Sequence, residues 1–290
     1  MTGRNGMFSR LMAPRHRLVL PLLALALGLL VTLAVWQGRV SDERQRGQAR
    51  FDGVVQAIQT DINDAFARYE QVLRAGQGFA SGGSVGRGDW RRLVAALDLP
   101  SHCPGIKGLA LVLPVAESER ESFLALRRRE DAGFHIFPDR PRADYFVYTL
   151  VEPAEAKAPA VGFDVGSSPP RRAALERARD TGTTALTEPV ALLSPSKSGS
   201  DFLLYLPVWR DGAPHGTPEE RRAALTGWVG LAFNLSEVMR SITSEHPDID
   251  IDVYVGDRRE AGRQIYDSLG DDALGGEERA LYRRDALLPI

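Results

Sequence analysis

The chain has 290 residues, of which 43% are hydrophobic, enough for a buried core, and a net charge of −2 at pH 7. This length allows one large or two modest domains, and the interspersed, near-neutral charge argues against a nucleic-acid partner. Cys103 is the only cysteine, which excludes an internal disulfide and a metal site built on paired cysteines. We therefore predict a protein that has no cofactor and no resident metal.

An uncharged apolar segment, Leu18–Trp36, predicts a transmembrane helix because it is long enough to cross the hydrocarbon core of a bilayer. Residues 1–17 carry four arginines and no acidic residue, so we expect them to be cytoplasmic. The alternative is a cleaved signal peptide, but Val35-Trp36-Gln37 lacks the small residues of a cleavage site. We predict a single-pass protein of the inner (plasma) membrane whose body is periplasmic or extracellular.

Residues 41–76 predict a long helix, which we call the stalk. Apolar residues recur along it at steps of three and four residues, which gives one apolar stripe. The stripe consists of Phe51, Val54, Val55, Ile58, Ile62, Phe66, Tyr69, Val72 and Leu73. It packs either on the chain's own domain or on a second copy, and spacing alone does not distinguish these alternatives.

Beyond the stalk we predict an α+β fold with two units, residues 77–210 and 211–290, joined by the polar linker Asp211–Arg221. Apolar runs bounded by turn residues predict the strands of both units. These runs are Ile106–Leu113, Phe134–Phe137, Tyr145–Leu150, Val190–Leu193, Phe202–Val208, Thr226–Phe233 and Ile249–Val255. The last residues carry no terminating signal, so we expect the second unit to be truncated.

The clearest helix signal begins after Ser167 and Ser168, either of which is a suitable capping residue. Prolines in the first turn have a preset φ and no N–H that needs a partner. Gly182 is well placed to adopt the left-handed conformation that follows a helix end. We expect this helix to be the central element of the first unit.

The sequence gives little support for a catalytic site. The five histidines do not pair at the spacing of metal ligands on a helix. Glu152 and Asp164 could act as an acid–base pair, but turn and capping roles are more common for such residues. Asp248, Asp250 and Asp252 alternate along a predicted strand, where they either hold a cation or form its solvent face. We therefore assign no catalytic residue and no metal ligand.

The central part of the chain, about residues 45–268, resembles the CHASE domain, an extracellular sensory domain of histidine kinases, nucleotide cyclases and diguanylate cyclases. The longest continuous similarity runs from Gly162 to Pro207. The residues that carry it are Pro104-Gly105-Ile106, Glu119-Arg120, Phe123, Tyr148, Glu152-Pro153, Gly162-Phe163-Asp164, Arg171 to Gly182, Leu186-Thr187, Pro189, Leu203 to Val208 and Gly227 to Phe233.

The resemblance implies a stalk helix followed by two PAS-like subdomains, of which the membrane-distal one, residues 77–210, holds a small-molecule ligand. It also implies a homodimer and a second transmembrane helix that leads to a cytoplasmic output domain, a histidine kinase or a diguanylate cyclase. The implied ligand-binding positions are Arg171, Thr187, Leu193, Tyr205 and Tyr148.

In the plant cytokinin receptors of this family, an acidic residue near the start of the central helix holds an adenine-like ligand. The matching position here is Arg171, which is always charged and presents a planar fork of donors. An arginine favours a carboxylate or a phosphate, so the sequence points away from a cytokinin and toward an anionic ligand. The structural alternative for Arg171 is a solvated side chain at a helix start.

The sequence is compatible with three functional hypotheses. The first is the sensory input region of a membrane receptor, itself not an enzyme, whose output domain is absent from this chain. The second is a membrane-anchored hydrolase, which requires a nucleophile–base pair or a metal set. The third is an accessory binding protein that acts with a separate membrane partner. Turnover of a bound compound favours the second, and saturable binding without turnover favours the first.

Overall fold

A computed structural model describes residues 15–153, 160–192, 201–247, 249–256, 263–268 and 284–286. The chain forms two compact units, of which the first ends at Gln56 and the second begins at Ala57. The predicted site residue Leu193 and the acidic residue Asp248 lie outside the described residues.

The N-terminal helix α1 comprises Arg15–Ser81, which is 67 residues. Its apolar part is exposed to the surroundings, with 70% of Leu25 accessible. Judged by length and composition, α1 is the one helix among the described residues that is long and apolar enough to cross a membrane. The sequence predicted two helices, 18–36 and 41–76, whereas the structure has one that continues to Ser81.

The helices and strands that follow α1 in the described residues all lie in the second unit. After α1, the elements in chain order are α2 (Arg87–Leu97), α3 (Leu99–His102), β1 (Ile106–Ala116), α4 (Arg120–Arg128), β2 (Asp144–Glu152), α5 (Pro169–Thr181), β3 (Ala185–Leu186), β4 (Asp201–Trp209), α6 (Pro218–Ala224), β5 (Leu225–Asn234), α7 (Leu235–Thr243), β6 (Asp252–Tyr254) and β7 (Gln264–Asp267). The α+β class predicted from the sequence is confirmed.

Five strands form one antiparallel sheet in the order β2-β1-β5-β4-β3, and β6 and β7 form a separate hairpin. The central strand β5 therefore belongs to the same sheet as β1 and β4. A unit boundary at residue 210 is wrong for this strand, because it would divide one hydrogen-bonded sheet. The predicted linker contains the start of α6, whose N-terminus is closed by a capping box between Thr217 and Glu220.

One face of the sheet packs against the part of α1 that belongs to the second unit, and we call it the stalk face. The indole of Trp90 on α2 donates to the carbonyl of Leu109 at 3.4 Å, and the amide of Gln77 donates to that of Pro207 at 2.5 Å. The Tyr69 hydroxyl donates to the carbonyl of Pro104. Gln77 thus ties the end of α1 to β4, Tyr69 ties it to the turn before β1, and Trp90 ties α2 to β1.

Helix α5 covers the opposite face, which we call the ligand face. Its buried residues Ala174, Leu175 and Ala178 join a core cluster with side chains from the strands. The indole of Trp228 on β5 donates to the carbonyl of Leu175 at 3.0 Å. The predicted helix ends are confirmed, since Ser168 is the N-cap residue and Gly182 closes the helix with φ 75°. The Ser168 hydroxyl makes no capping bond.

A β-bulge decides which side chains of β2 reach the ligand face. Val151 lies opposite Ala110 and Leu150 opposite Leu111, but the next residue of β1, Val112, lies opposite Tyr148. Thr149 is the extra residue, and its hydroxyl donates to the carbonyl of Leu111 at 3.2 Å. Because side chains alternate along a strand, this single extra residue moves Tyr148 onto the same face as Val151.

Gly76 explains why α1 does not end where the sequence predicted. A Cβ at this position would lie 2.9 Å from Cγ1 of Val229 and 3.4 Å from the Trp90 ring. The glycine therefore allows close contact between the helix and the sheet instead of ending the helix. Gly78, two residues on, has no atom within 4 Å of the same position.

We predict opposite effects for leucine at these two glycines. Gly76→Leu should lower the free energy of unfolding by about 1–3 kcal/mol, because the packed interface cannot accept the added atoms. Gly78→Leu should leave it unchanged or raise it by up to about 1 kcal/mol, through better helix propensity. Urea unfolding of the detergent-solubilised chain measures both. Equal effects would show that Gly76 is not a packing residue.

Candidate ligand site

Tyr148 and Tyr205 meet on the ligand face although their strands are not neighbours. Their hydroxyl oxygens lie 3.0 Å apart, and both side chains are buried. Strands β1 and β5 separate β2 from β4 and carry small residues here, Ala110 and Gly230, which pair across the ladder. A Cβ at Gly230 would lie 2.8 Å from Cε1 of Tyr205 and 4.0 Å from that of Tyr148. The glycine thus leaves the space that brings these rings together.

Burial raises the pKa of both tyrosine hydroxyls, and the nearby charge of Arg171 opposes this shift only in part. Both hydroxyls therefore stay protonated at physiological pH. Each remains a hydrogen-bond donor as well as an acceptor.

Arg171 lies in the first turn of α5 with only 5% of its surface exposed. Its Nη2 donates to the carbonyl of Ala191 at 2.7 Å, and the guanidinium carbon lies 5.3 Å from the centre of the Phe163 ring. The alternative of a solvated arginine at a helix start is therefore wrong. A guanidinium tolerates such burial and stacking on an aromatic ring better than an ammonium does.

Thr187 lies at the edge of the same face, immediately after β3. Its N–H donates to the carbonyl of Leu203 at 2.9 Å, and its hydroxyl oxygen accepts from the N–H of Leu203 at 3.1 Å. This side chain therefore extends the hydrogen-bond ladder with β4. Its role in ligand binding remains a prediction, as does that of Leu193, which lies outside the described residues.

The loop that carries Phe163 is fixed by the buried carboxylate of Asp164. Its Oδ1 accepts from the N–H groups of Phe146 at 3.0 Å and Gly166 at 3.1 Å. Arg142 Nε lies 3.3 Å from Oδ2, an ion pair that lacks hydrogen-bond geometry. Burial raises the pKa of Asp164 despite these groups. Asp164 thus holds the loop, which agrees with the turn and capping role.

The other acidic residues considered from the sequence have different surroundings. Glu152 is buried and pairs with Arg91 at 3.3 Å. Asp250 and Asp252 lie near Asp267, with one carboxylate oxygen of each within 4.8 Å of the others, on a largely exposed surface. Exposed acidic clusters are common without a bound ion, and this one carries no assignment.

Several residues of the site were not found from the sequence. They are Phe163 beneath Arg171, Gly230 beside the tyrosine pair, and the half-buried apolar residues Val190, Leu192 and Ala232 that pack on the same cluster. A glycine inside an apolar strand signals the close approach of another group, so Gly230 had a readable signal. The others become neighbours only through the fold.

The fold and the site together define an α+β domain that brings buried hydrogen-bond donors onto an apolar sheet face. Residues 83–266 match the CHASE domain family, and the chain belongs to this family. It carries a sensory domain, as the sequence resemblance implied.

The chain is also similar to a protein of Oryza sativa subsp. japonica named "Probable histidine kinase 4". The two are 27% identical over 156 residues, which cover 52% of this chain and 15% of that protein. The similarity therefore concerns a small part of the rice protein.

The tyrosine pair yields a prediction about stability. Tyr205→Phe should lower the free energy of unfolding by about 1–3 kcal/mol, because the buried Tyr148 hydroxyl loses its partner. The same holds for Tyr148→Phe. The double variant should lose clearly less than the sum of the two, since no hydroxyl is then left unpaired. Urea unfolding of the four proteins measures this cycle. Strict additivity would contradict a direct bond between the hydroxyls.

Proposed function

We propose that this chain is the small-molecule sensing region of a membrane signal-transduction receptor. A ligand binds on the ligand face, between the sheet and the segments that carry Phe163 and Leu192. Binding changes the position of α1, and a cytoplasmic histidine kinase or diguanylate cyclase receives that change. Membership of the CHASE family and the similarity to a probable histidine kinase support this assignment.

The observation that carries the proposal is the placement of two consecutive residues of β5. Gly230 faces the ring of Tyr205 on the ligand face, whereas Val229 faces Gly76 of α1 on the stalk face. Neighbouring residues of a strand point to opposite faces, so this strand connects the two sides directly. A ligand must bind one of two arrangements better for a signal to pass.

The core cluster on the ligand face also has the composition of a small-molecule binding site. Most of its lining is apolar, with few polar groups, as in binding sites generally. Phe163, Val190, Leu192 and Ala232 are half-buried. These partly accessible residues support entry of a compound beside the tyrosine pair.

The membrane and dimer assignments are part of the same proposal. The apolar run of α1 supports insertion in the inner membrane, with the sheet on the periplasmic or extracellular side. The stripe of the first unit, with Phe51, Val54 and Val55 at helical spacing, supports pairing with a second copy. We also propose that the five-stranded sheet is PAS-like and that a second, membrane-proximal unit begins after Asn234.

A thermal-shift screen of the full chain in lipid nanodiscs against a small-molecule library tests this function. We expect at least one compound to raise the melting temperature saturably and to be recovered unchanged by mass spectrometry. Ala232→Leu should weaken its binding at least tenfold by filling the site. Ala173→Leu, the same change at an exposed position of α5, should not.

Two results would contradict the proposal. Recovery of a chemically altered compound would favour a membrane-anchored enzyme. Absence of any saturable ligand across the library would argue against a small-molecule sensor.

A further inference from the structure

Two consecutive arginines at the start of α5 have different surroundings. Arg172 donates to Asp144, Glu176 and the carbonyl of Gly166 at 3.0–3.2 Å, and its guanidinium carbon lies 4.4 Å from the centre of the Phe146 ring. All three nitrogens of its guanidinium have partners, two of which are carboxylates. Arg172 is thus a structural residue whose charge is already balanced.

Arg171 is more deeply buried, and the residues that the structure describes give it no such balance. Among the described residues, no carboxylate lies within 4.0 Å of its guanidinium, and its Nε has no hydrogen-bond partner. Its contacts are a neutral carbonyl, that of Ala191, and the face of the Phe163 ring. A buried cation without an anion is costly, and such charges in proteins are normally paired.

The tyrosine pair offers a further donor beside this charge. Two hydroxyls share one contact, so only one of their two hydrogens lies between the oxygens. The second hydrogen has no acceptor among the described residues. Phe163 connects Arg171 to the pair, since its ring centre lies 5.3 Å from the guanidinium carbon of Arg171 and 6.5 Å from the centre of the Tyr148 ring. Within the described part of the chain, the site thus presents the Nε–H of Arg171 and one tyrosine O–H without an acceptor.

We propose that the ligand is a small monocarboxylate with an apolar body, held by Arg171 and the tyrosine pair. This inference rests on the proposed sensory function and adds the chemical class of the ligand. One guanidinium balances one negative charge, whereas a phosphate monoester carries about −1.5 to −2 at neutral pH. The carboxylate accepts the free donors, and the body packs on Leu203, Phe163 and Ala232, the last two of them half-buried.

The test uses the full chain in lipid nanodiscs with benzoate, phenylacetate and hexanoate, each compared with its primary amide. The amide keeps the shape of the acid and removes the charge. We expect at least one carboxylate to raise the melting temperature saturably and to bind at least tenfold more tightly than its amide, as measured by calorimetry.

Variants of α5 assign the effect to one side chain. Arg171→Met keeps the volume and should weaken carboxylate binding at least tenfold, without lowering the melting temperature of the free protein. Arg171→Lys keeps the charge without the fork and should give an intermediate affinity. Arg177→Met is the control, because Arg177 also donates to a backbone carbonyl, that of Leu186, but is exposed. It should bind like the unmodified protein.

Three outcomes would overturn the inference: an amide that binds as tightly as its acid, Arg171→Met with unchanged affinity, or no binding by any of the three carboxylates. A neutral library compound that binds and loses affinity on Ala232→Leu would also overturn the ligand class, yet it would support the sensory function. The two proposals can therefore fail separately.

Discussion

The pairing of β5 on both sides is the constraint on which the rest of the fold depends. Its residues Trp228 to Phe233 pair with β1 on one edge, and residues between Leu225 and Asn234 pair with β4 on the other, so a late part of the chain holds two earlier parts together. This close pairing requires a glycine in β5, since a Cβ at Gly227 would lie 2.5 Å from the carbonyl oxygen of Val112. Each face of the strand then supports a different helix.

Much of the local structure could be predicted from the sequence, because it depends on nearest neighbours. The periodicity of α1, the proline and glycine at the ends of α5, and the apolar runs of β1, β2, β4 and β5 all correspond to observed elements. Strand β3, Ala185–Leu186, was not predicted, and of the expected strand Val190–Leu193 the described residues show a backbone hydrogen bond from Val190 to Asp201 at the start of β4. Apolar runs mark potential strands, but the choice of partner depends on the whole sheet.

The positions of the candidate site residues could be predicted from the sequence, but the groups that surround them could not. Tyr148, Tyr205 and Arg171 could be named from the family resemblance, but nothing local distinguishes Arg171 from Arg172. Their difference comes from groups that the fold brings in, namely the Asp144 carboxylate for one and the Ala191 carbonyl for the other. Glycines also have two meanings in sequence, since Gly182 ends a helix whereas Gly76 permits close packing.

The extra residue in β2 has a consequence for how such sites diversify. Tyr148 reaches the ligand face only because Thr149 shifts the alternation of the strand. If the bulge were straightened so that Thr149 took a regular place in the strand, Tyr148 would turn toward the stalk face and Val147 toward the ligand face, with no site residue replaced. The chemistry of this face is thus set by where the strand bulges as well as by the identity of its residues. Related domains can therefore change specificity by losing or moving a bulge, a route that comparison of residue identities alone would miss.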